Sequence, residues 1–210
     1  MTKPTLYGIC GSRAIRSIWA MEETGVDYDH VPTHFIEDSK TPEYLAINPN
    51  GRIPCLVDGD VTLFESMAIN LYAAKKWGGD LYPKTPEDEA RAQQWSVWAI
   101  SEIEPLQMQV VIQKFFTPED KRNQGIIDRA FESLDRPLKV LDAQLAPQPY
   151  LLGDAFTIAD LNLCAVMQLL KMIEFDLSPY PNVEKWMGAC LSRPSFERAR
   201  TKDDRPLLPS

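Results

Sequence analysis

Residues 53–66 read IPCLVDGDVTLFES. Two apolar runs, 53–57 and 61–64, flank an Asp58-Gly59-Asp60 turn, and Asp-Gly between apolar runs is a strong short-range signal for a β-hairpin. Glu65-Ser66 then opens a helical stretch, SMAINLYAAKKWGG, that stops at Gly78-Gly79. Toward the N-terminus, residues 5–9, TLYGI, read as a short buried strand. Ser12 stands at the N-cap position of a helix in RAIRSIWAMEETG, where Ile15, Ile18 and Trp19 recur at helical spacing and Gly25 marks the stop. Residues 28–35 read as a second extended segment, and 37–50 as a polar, proline-broken stretch with a short helix near 42–46. The order up to residue 79 is therefore β-α-β-(α)-β-β-α. The helical crossover makes the first strands parallel, and the hairpin adds an antiparallel edge.

After Leu81-Tyr82-Pro83 everything reads as helix. Thr85-Pro86-Glu87-Asp88 is an N-cap with proline at the first helical position and acids in the first turn, and Thr117-Pro118-Glu119-Asp120 repeats the device. Trp95, Ala99, Ile103 and Leu106 form one core stripe; Ala130, Leu134, Leu138, Leu141 and Leu145 form another. Pro105 is expected to kink the first of these helices and Pro137 to bend the second. Thr157-Ile158-Ala159-Asp160 is a capping box, and a last helix follows Pro181-Asn182 with Val183, Trp186, Met187 and Cys190 on one face, ended by Arg193-Pro194. Two domains are expected: an α/β domain over 1–82 with a mixed four-stranded sheet, and an all-helical domain over 83–210.

Composition narrows the function. The chain has 210 residues, 44% hydrophobic and 25% charged, which is ordinary globular usage. A formal net charge of −8 argues against a binder of phosphate backbones, so no nucleic-acid partner is expected. No apolar run approaches the ~18 residues of a membrane span. The start, MTKPTLYGIC, lacks the apolar core of a leader. Cys10, Cys55, Cys164 and Cys190 lie far apart with no C-x-x-C, which points to reduced thiols in the cytoplasm. His30 and His34 are the only histidines, and Val31-Pro32 between them favours extended chain, so no metal site is expected.

Three segments should converge at one end of the sheet: the turn carrying Ser12, residues 48–54, and Phe64-Glu65-Ser66. Pro54 sits at a strand start. It is either an ordinary edge-strand proline or part of a cis Ile-Pro bond that turns the N–H and C=O of Ile53 toward an extended, peptide-like ligand. Glu65 offers a carboxylate to an ammonium group, and Ser66 offers a hydroxyl and an N–H at a helix start to a carboxylate; together they suit an α-amino acid head. The simpler reading of Ser66 is a cap. Ser12 either caps its helix or donates a hydrogen bond to a bound thiolate. Cys10, able to form a mixed disulfide, and Tyr7, with its phenol, compete for that role; otherwise they are a small buried residue and a core residue.

At these residues the chain resembles the cytosolic glutathione transferases. The resemblance runs through LYG, SRAIRSIWAMEETGVDY, PEYLAINPNGRIPCLVDGDVTLFESMAINLY, YLLGDAFTIADLNLCAV and YPNVEKWMGACLSRPSFERA, in that order. It implies a thioredoxin-like N-terminal domain and a helical C-terminal domain. It further implies that Pro54 is a cis-proline, that Ile53 pairs with the cysteinyl part of glutathione, and that Glu65 and Ser66 hold the γ-glutamyl end. Lys40 or Arg52 approaches the glycine carboxylate. Ser12, four residues before Arg16, matches serine-type members of the family; Cys10 and Tyr7 remain alternatives. The implied activity is conjugation of glutathione, as co-substrate and with no other cofactor, to a small hydrophobic electrophile in detoxification. That electrophile is expected in an apolar cleft against the helices near 95–113, and the protein is expected to be a homodimer. The alternatives are a thiol transferase or peroxidase acting through Cys10, and a non-enzymatic adaptor.

Overall fold

The alternating apolar pattern of the hairpin becomes the edge of a four-stranded sheet, β1 (Thr5–Tyr7), β2 (Asp29–Val31), β3 (Cys55–Asp58) and β4 (Val61–Phe64), in the order β2-β1-β3-β4. The computed structural model of the chain describes residues 3–207. β1 pairs with β2 in parallel and with β3 antiparallel, and β3 pairs with β4 antiparallel. Asp58 faces Val61, so the hairpin turns on two residues, with Gly59 at φ 60°. That positive φ is what the tight turn needs and what glycine supplies without a steric cost. The extended segment expected over 28–35 is shorter than that, only three residues in β2, because Pro32 cannot donate to a ladder.

Helix α1 (Ile15–Thr24) is buried at every residue from Ile15 to Met21 and ends on Gly25 in the left-handed conformation, φ 69°. Helix α2 (Pro42–Leu45) is capped by Thr41, whose hydroxyl accepts from the Tyr44 N–H. Helix α3 (Ser66–Trp77) closes the motif and packs on α1. Leu6, Ile9, Ile18, Trp19, Leu56 and Ile69 are fully buried. Each such side chain contributes about 1.5–3 kcal/mol.

The chain divides into two compact units, one built from the residues up to Lys84 together with those from Ser192 on, the other from Thr85–Leu191. The sequence pattern places everything after residue 82 in the helical domain. The C-terminal segment instead returns to the first unit. Arg193-Pro194, read as a stop, also begins a further helix, α10 (Pro194–Arg200), which packs on α1. Trp19 donates from Nε1 to Ser195 Oγ (3.1 Å), and its ring lies 4.9 Å from Phe196.

The helical unit holds α4 (Pro86–Trp98), α5 (Glu104–Val111), α6 (Gln124–Leu145), α7 (Ile158–Met167), α8 (Leu169–Met172) and α9 (Pro181–Leu191). π-helical segments over Ala99–Ile103 and Ile112–Phe116 flank α5. α6 continues through Pro137. α7 is buried at every residue, the pattern of a central helix, and packs against α4 and α9. The cap at Thr85 is present, with its hydroxyl accepting from the Asp88 N–H. The matching cap at Thr117 is not: only a 3-10 turn (Glu119–Lys121) follows, and α6 starts at Gln124. The Thr117 hydroxyl donates instead to the Ile112 carbonyl (2.9 Å), closing the preceding segment. Among the described residues no helix is long and apolar enough to cross a membrane.

Candidate functional site

Strand register brings the site together. Tyr7 pairs with Val31 on one side and Cys55 on the other, and Cys55 pairs with Phe64, so four residues form one rung across the sheet. Just beyond that rung lie the turn after Gly8, the Ile53-Pro54 step, and Glu65-Ser66. The three segments singled out in the sequence thus share one end of the sheet. A Cβ placed on Gly8, at φ 145°, would lie 2.3 Å from the Ala14 Cβ and 3.7 Å from the Ile53 Cβ. Only glycine allows β1 to pass that close to the entry of α1.

The Ile53-Pro54 peptide bond is cis. The chain before it is held by two side chains that converge on one carbonyl. Tyr44 Oη (2.7 Å) and Asn48 Nδ2 (2.8 Å) both donate to the Arg52 carbonyl, and both residues are buried. Asn48 also accepts from the Asn50 N–H through Oδ1 (3.1 Å). Burial raises the Tyr44 phenol well above its ordinary value, so it stays a donor at any physiological pH. Neither backbone group of Ile53 is engaged in a hydrogen bond among the described residues. The sequence gives Tyr44 and Asn48 no role of their own; the short Pro42–Leu45 helix and its Thr41 cap are the only local signal of this grip. Arg52 itself is exposed, and the exposed Lys40 directs Nζ to the Gly51 carbonyl beside it. Both cations named for a ligand carboxylate therefore sit on the 40–52 wall.

Glu65 is exposed and occupies φ 71°, ψ 112°, a conformation that costs a non-glycine residue about 1–3 kcal/mol. It is the N-cap of α3, yet its side chain makes no capping bond. Ser66, expected at the cap, is instead the first helical residue and is buried. Its N–H points along the positive end of the helix.

The three candidates for the thiolate contact differ in their surroundings. Ser12 is not the N-cap: α1 starts at Ile15, and Ser12 lies in the preceding turn. Its hydroxyl donates to the Ile9 carbonyl (2.8 Å) and accepts from the Ala14 N–H (3.1 Å). This local bonding competes with a regular cap, which explains the later helix start. A hydroxyl can swing its proton from the Ile9 carbonyl to a charged acceptor, a stronger bond. Cys10 donates its thiol to the Asp203 carbonyl (3.1 Å). Burial is the main cause that pushes this thiol above its ordinary value, so it is held neutral and is not a prepared nucleophile. Tyr7 is half-buried in β1, with its ring edge-on to Tyr44 at 5.8 Å. His30 Nε2 contacts the Gly8 carbonyl (2.7 Å) and His34 Nε2 the Leu207 carbonyl (3.1 Å). Among the described residues no group of three or more His, Cys, Asp or Glu is placed to hold a metal ion.

Residues 3–75 match the family model for the glutathione S-transferase N-terminal domain, and residues 103–194 match that for the C-terminal domain. Glutathione S-transferase 4 of Zea mays is 35% identical over 87% of this chain and 85% of that protein. A theta class glutathione S-transferase from Xanthomonas axonopodis pv. citri, solved with glutathione bound, superposes with a TM-score of 0.87 at 30% identity, covering 99% of this chain and all of that one. Maize glutathione S-transferase I in complex with an atrazine–glutathione conjugate gives a TM-score of 0.85 at 33% identity, covering 95% of this chain and 97% of that one. With both family domains in place over this mixed sheet and helical unit, the chain belongs to the glutathione S-transferase family of enzymes.

Proposed function

We propose that this protein binds glutathione across the rung-end site, activates it as a thiolate with Ser12, and adds it to a small hydrophobic electrophile. The observation that carries the reading is the convergence of an unpaired Ile53 backbone, an uncapped Glu65-Ser66 helix start and the Ser12 turn at one sheet end. Ile53 offers one N–H and one C=O to the cysteinyl residue, as an edge strand does. Glu65 faces the γ-glutamyl ammonium, and the Ser66 N–H and hydroxyl face its carboxylate. Lys40 and Arg52 take the glycine carboxylate. A free thiol has a pKa near 8.5, so at neutral pH about a few per cent is thiolate. A hydroxyl donor and the N-terminal end of α1 shift that balance toward the anion.

With a chloronitrobenzene as electrophile, the thiolate sulfur bonds to the ring carbon. The carbon–chlorine bond breaks, chloride leaves with the bonding pair, and the thiol proton passes to solvent. The helical unit exposes Ile112, Phe115 and Phe116, apolar surface of the kind such a co-substrate needs. The known conjugate complex of the maize relative supports this class of reaction. Four free cysteines agree with a reducing cytoplasm, where conjugation of electrophiles would serve detoxification. Val97 and Ile100, exposed and three residues apart, support self-association as a homodimer, to be read by light scattering.

Calorimetry with glutathione, followed by conjugation of a chloronitrobenzene, tests the reading. Binding and glutathione-dependent product are expected. Absence of binding at millimolar glutathione would favour the adaptor alternative and end this proposal.

A further inference from the structure

The segment after α10 returns to the turn that carries Ser12. The Cys10 backbone N–H donates to Asp203 Oδ2 (2.9 Å), and the Cys10 thiol donates to the Asp203 carbonyl (3.1 Å). The other carboxylate oxygen, Oδ1, accepts from the Arg205 N–H (3.1 Å). His30 Nε2 lies 3.8 Å from Asp203 Oδ2 and 2.7 Å from the Gly8 carbonyl at the start of the same turn. The Asp203 side chain is only 5% exposed. Further on, a Cβ on Gly11 would meet the Leu207 Cβ at 3.6 Å, and Arg205 Nη1 donates to the Pro32 carbonyl (2.7 Å) and pairs with Asp38.

A buried carboxylate is costly unless it is met by donors. Here the donors are backbone N–H groups, and the one from Cys10 lies inside an irregular turn with no ladder or helix to satisfy it. Asp203 therefore fixes the backbone two residues before the Ser12 hydroxyl. We infer that Asp203 is a positioning residue: through Cys10 it holds the turn so that the Ser12 hydroxyl meets the glutathione sulfur. It does not touch glutathione, and the inference rests on the Ser12 reading given above.

Asp203→Ala leaves the Cys10 N–H without its acceptor, while Asp203→Asn keeps one oxygen that can accept from the Cys10 N–H and sets its NH2 toward the Arg205 N–H. In the alanine variant kcat is expected to fall about tenfold, with the KM for glutathione within about twofold of wild type, because other residues bind the ligand. The pKa of the bound glutathione thiol, read by ultraviolet difference absorbance, rises, and Cys10 reacts faster with a soluble disulfide reagent. The asparagine variant, with its oxygen toward Cys10, gives kcat and bound-thiol pKa between those of wild type and the alanine variant. A lower melting temperature with kcat and bound-thiol pKa unmoved would make the contact structural only and overturn the inference, as would unchanged Cys10 reactivity. A wild type that binds no glutathione overturns the functional reading itself, and that failure appears before any variant is made.

Discussion

The starts of α7 and α3 each carry an acidic residue at the cap or in the first turn, and they use it in opposite ways. At α7 the cap is closed. Thr157 Oγ1 accepts from the Ala159 N–H (3.3 Å), and Asp160 accepts from the Thr157 N–H (3.0 Å), the Leu151 N–H (2.8 Å) and Trp186 Nε1 (2.9 Å). At α3 the cap is open. Glu65 is exposed, sits at φ 71° and makes no capping bond. A helix start that serves folding spends its polar groups internally. One that serves binding keeps them for a ligand and tolerates backbone strain to aim them. The polar groups of the α7 start stabilise the fold directly, whereas the Glu65 side chain at the α3 start makes no capping bond and, on the proposed reading, is kept for the ligand.

The contrast can be broken most forcefully at its closed end. Asp160→Ala removes the acceptor of four buried donors, the Thr157 hydroxyl among them, and unfolding in urea should show a loss of about 4 kcal/mol. A loss under about 1 kcal/mol would mean that the box does not anchor α7. At the site, Ser12→Ala should leave folding intact and lower kcat about a hundredfold, the effect of losing one preorganised donor to a developing anion. Unchanged turnover would remove Ser12 and return attention to Tyr7. Glu65→Gly sharpens the comparison because it should change stability and binding in opposite directions. Relief of the positive φ should stabilise the protein by about 1 kcal/mol, while loss of the carboxylate raises the KM for glutathione about tenfold. Thermal melts and initial rates on one preparation read both.

The smallest effect concerns the ties between α1 and the C-terminal segment. Burial alone would raise the Glu23 carboxyl, but hydrogen bonds from Arg193 and Ser195 outweigh it and hold the group below its ordinary value. A folded-state pKa below the unfolded one gives stability that is complete above about pH 4.5 and is lost as the pH falls through the folded-state value. Wild type should therefore exceed Glu23→Gln by about 1 kcal/mol at neutral pH, allowing for solvent screening, and the gap should close on acidification below pH ~4. A gap that stays constant with pH would assign the contact to packing.

Local chemistry was readable wherever one short stretch settles its own geometry. The 61–64 strand, the two-residue turn at Gly59, the caps at Thr85 and Thr157, and the stop at Gly25 all appear where the residue types place them. Reading failed where one motif has two uses. Thr117-Pro118 resembles a helix start, but its hydroxyl was recruited by the carbonyl of Ile112 behind it. Arg193-Pro194 is a stop for α9 and also a start for α10, because proline suits the first turn as well as it suits a break. Ser12 looked like a cap, and its hydrogen bond to the Ala14 N–H two residues on delayed the helix.

By itself the sequence determined the order of strands and helices up to residue 79, the caps at Thr85 and Thr157, and the residue types gathered at the sheet end, since period, turn chemistry and capping act over a few residues. Only the tertiary structure decided that Tyr7, Cys55 and Phe64 share a rung, that Tyr44 and Asn48 grip one carbonyl, and that Asp203 reaches back 193 residues to Cys10. Those contacts join residues far apart in the chain. Their existence depends on how strands register and where the last segment returns, which no local pattern encodes.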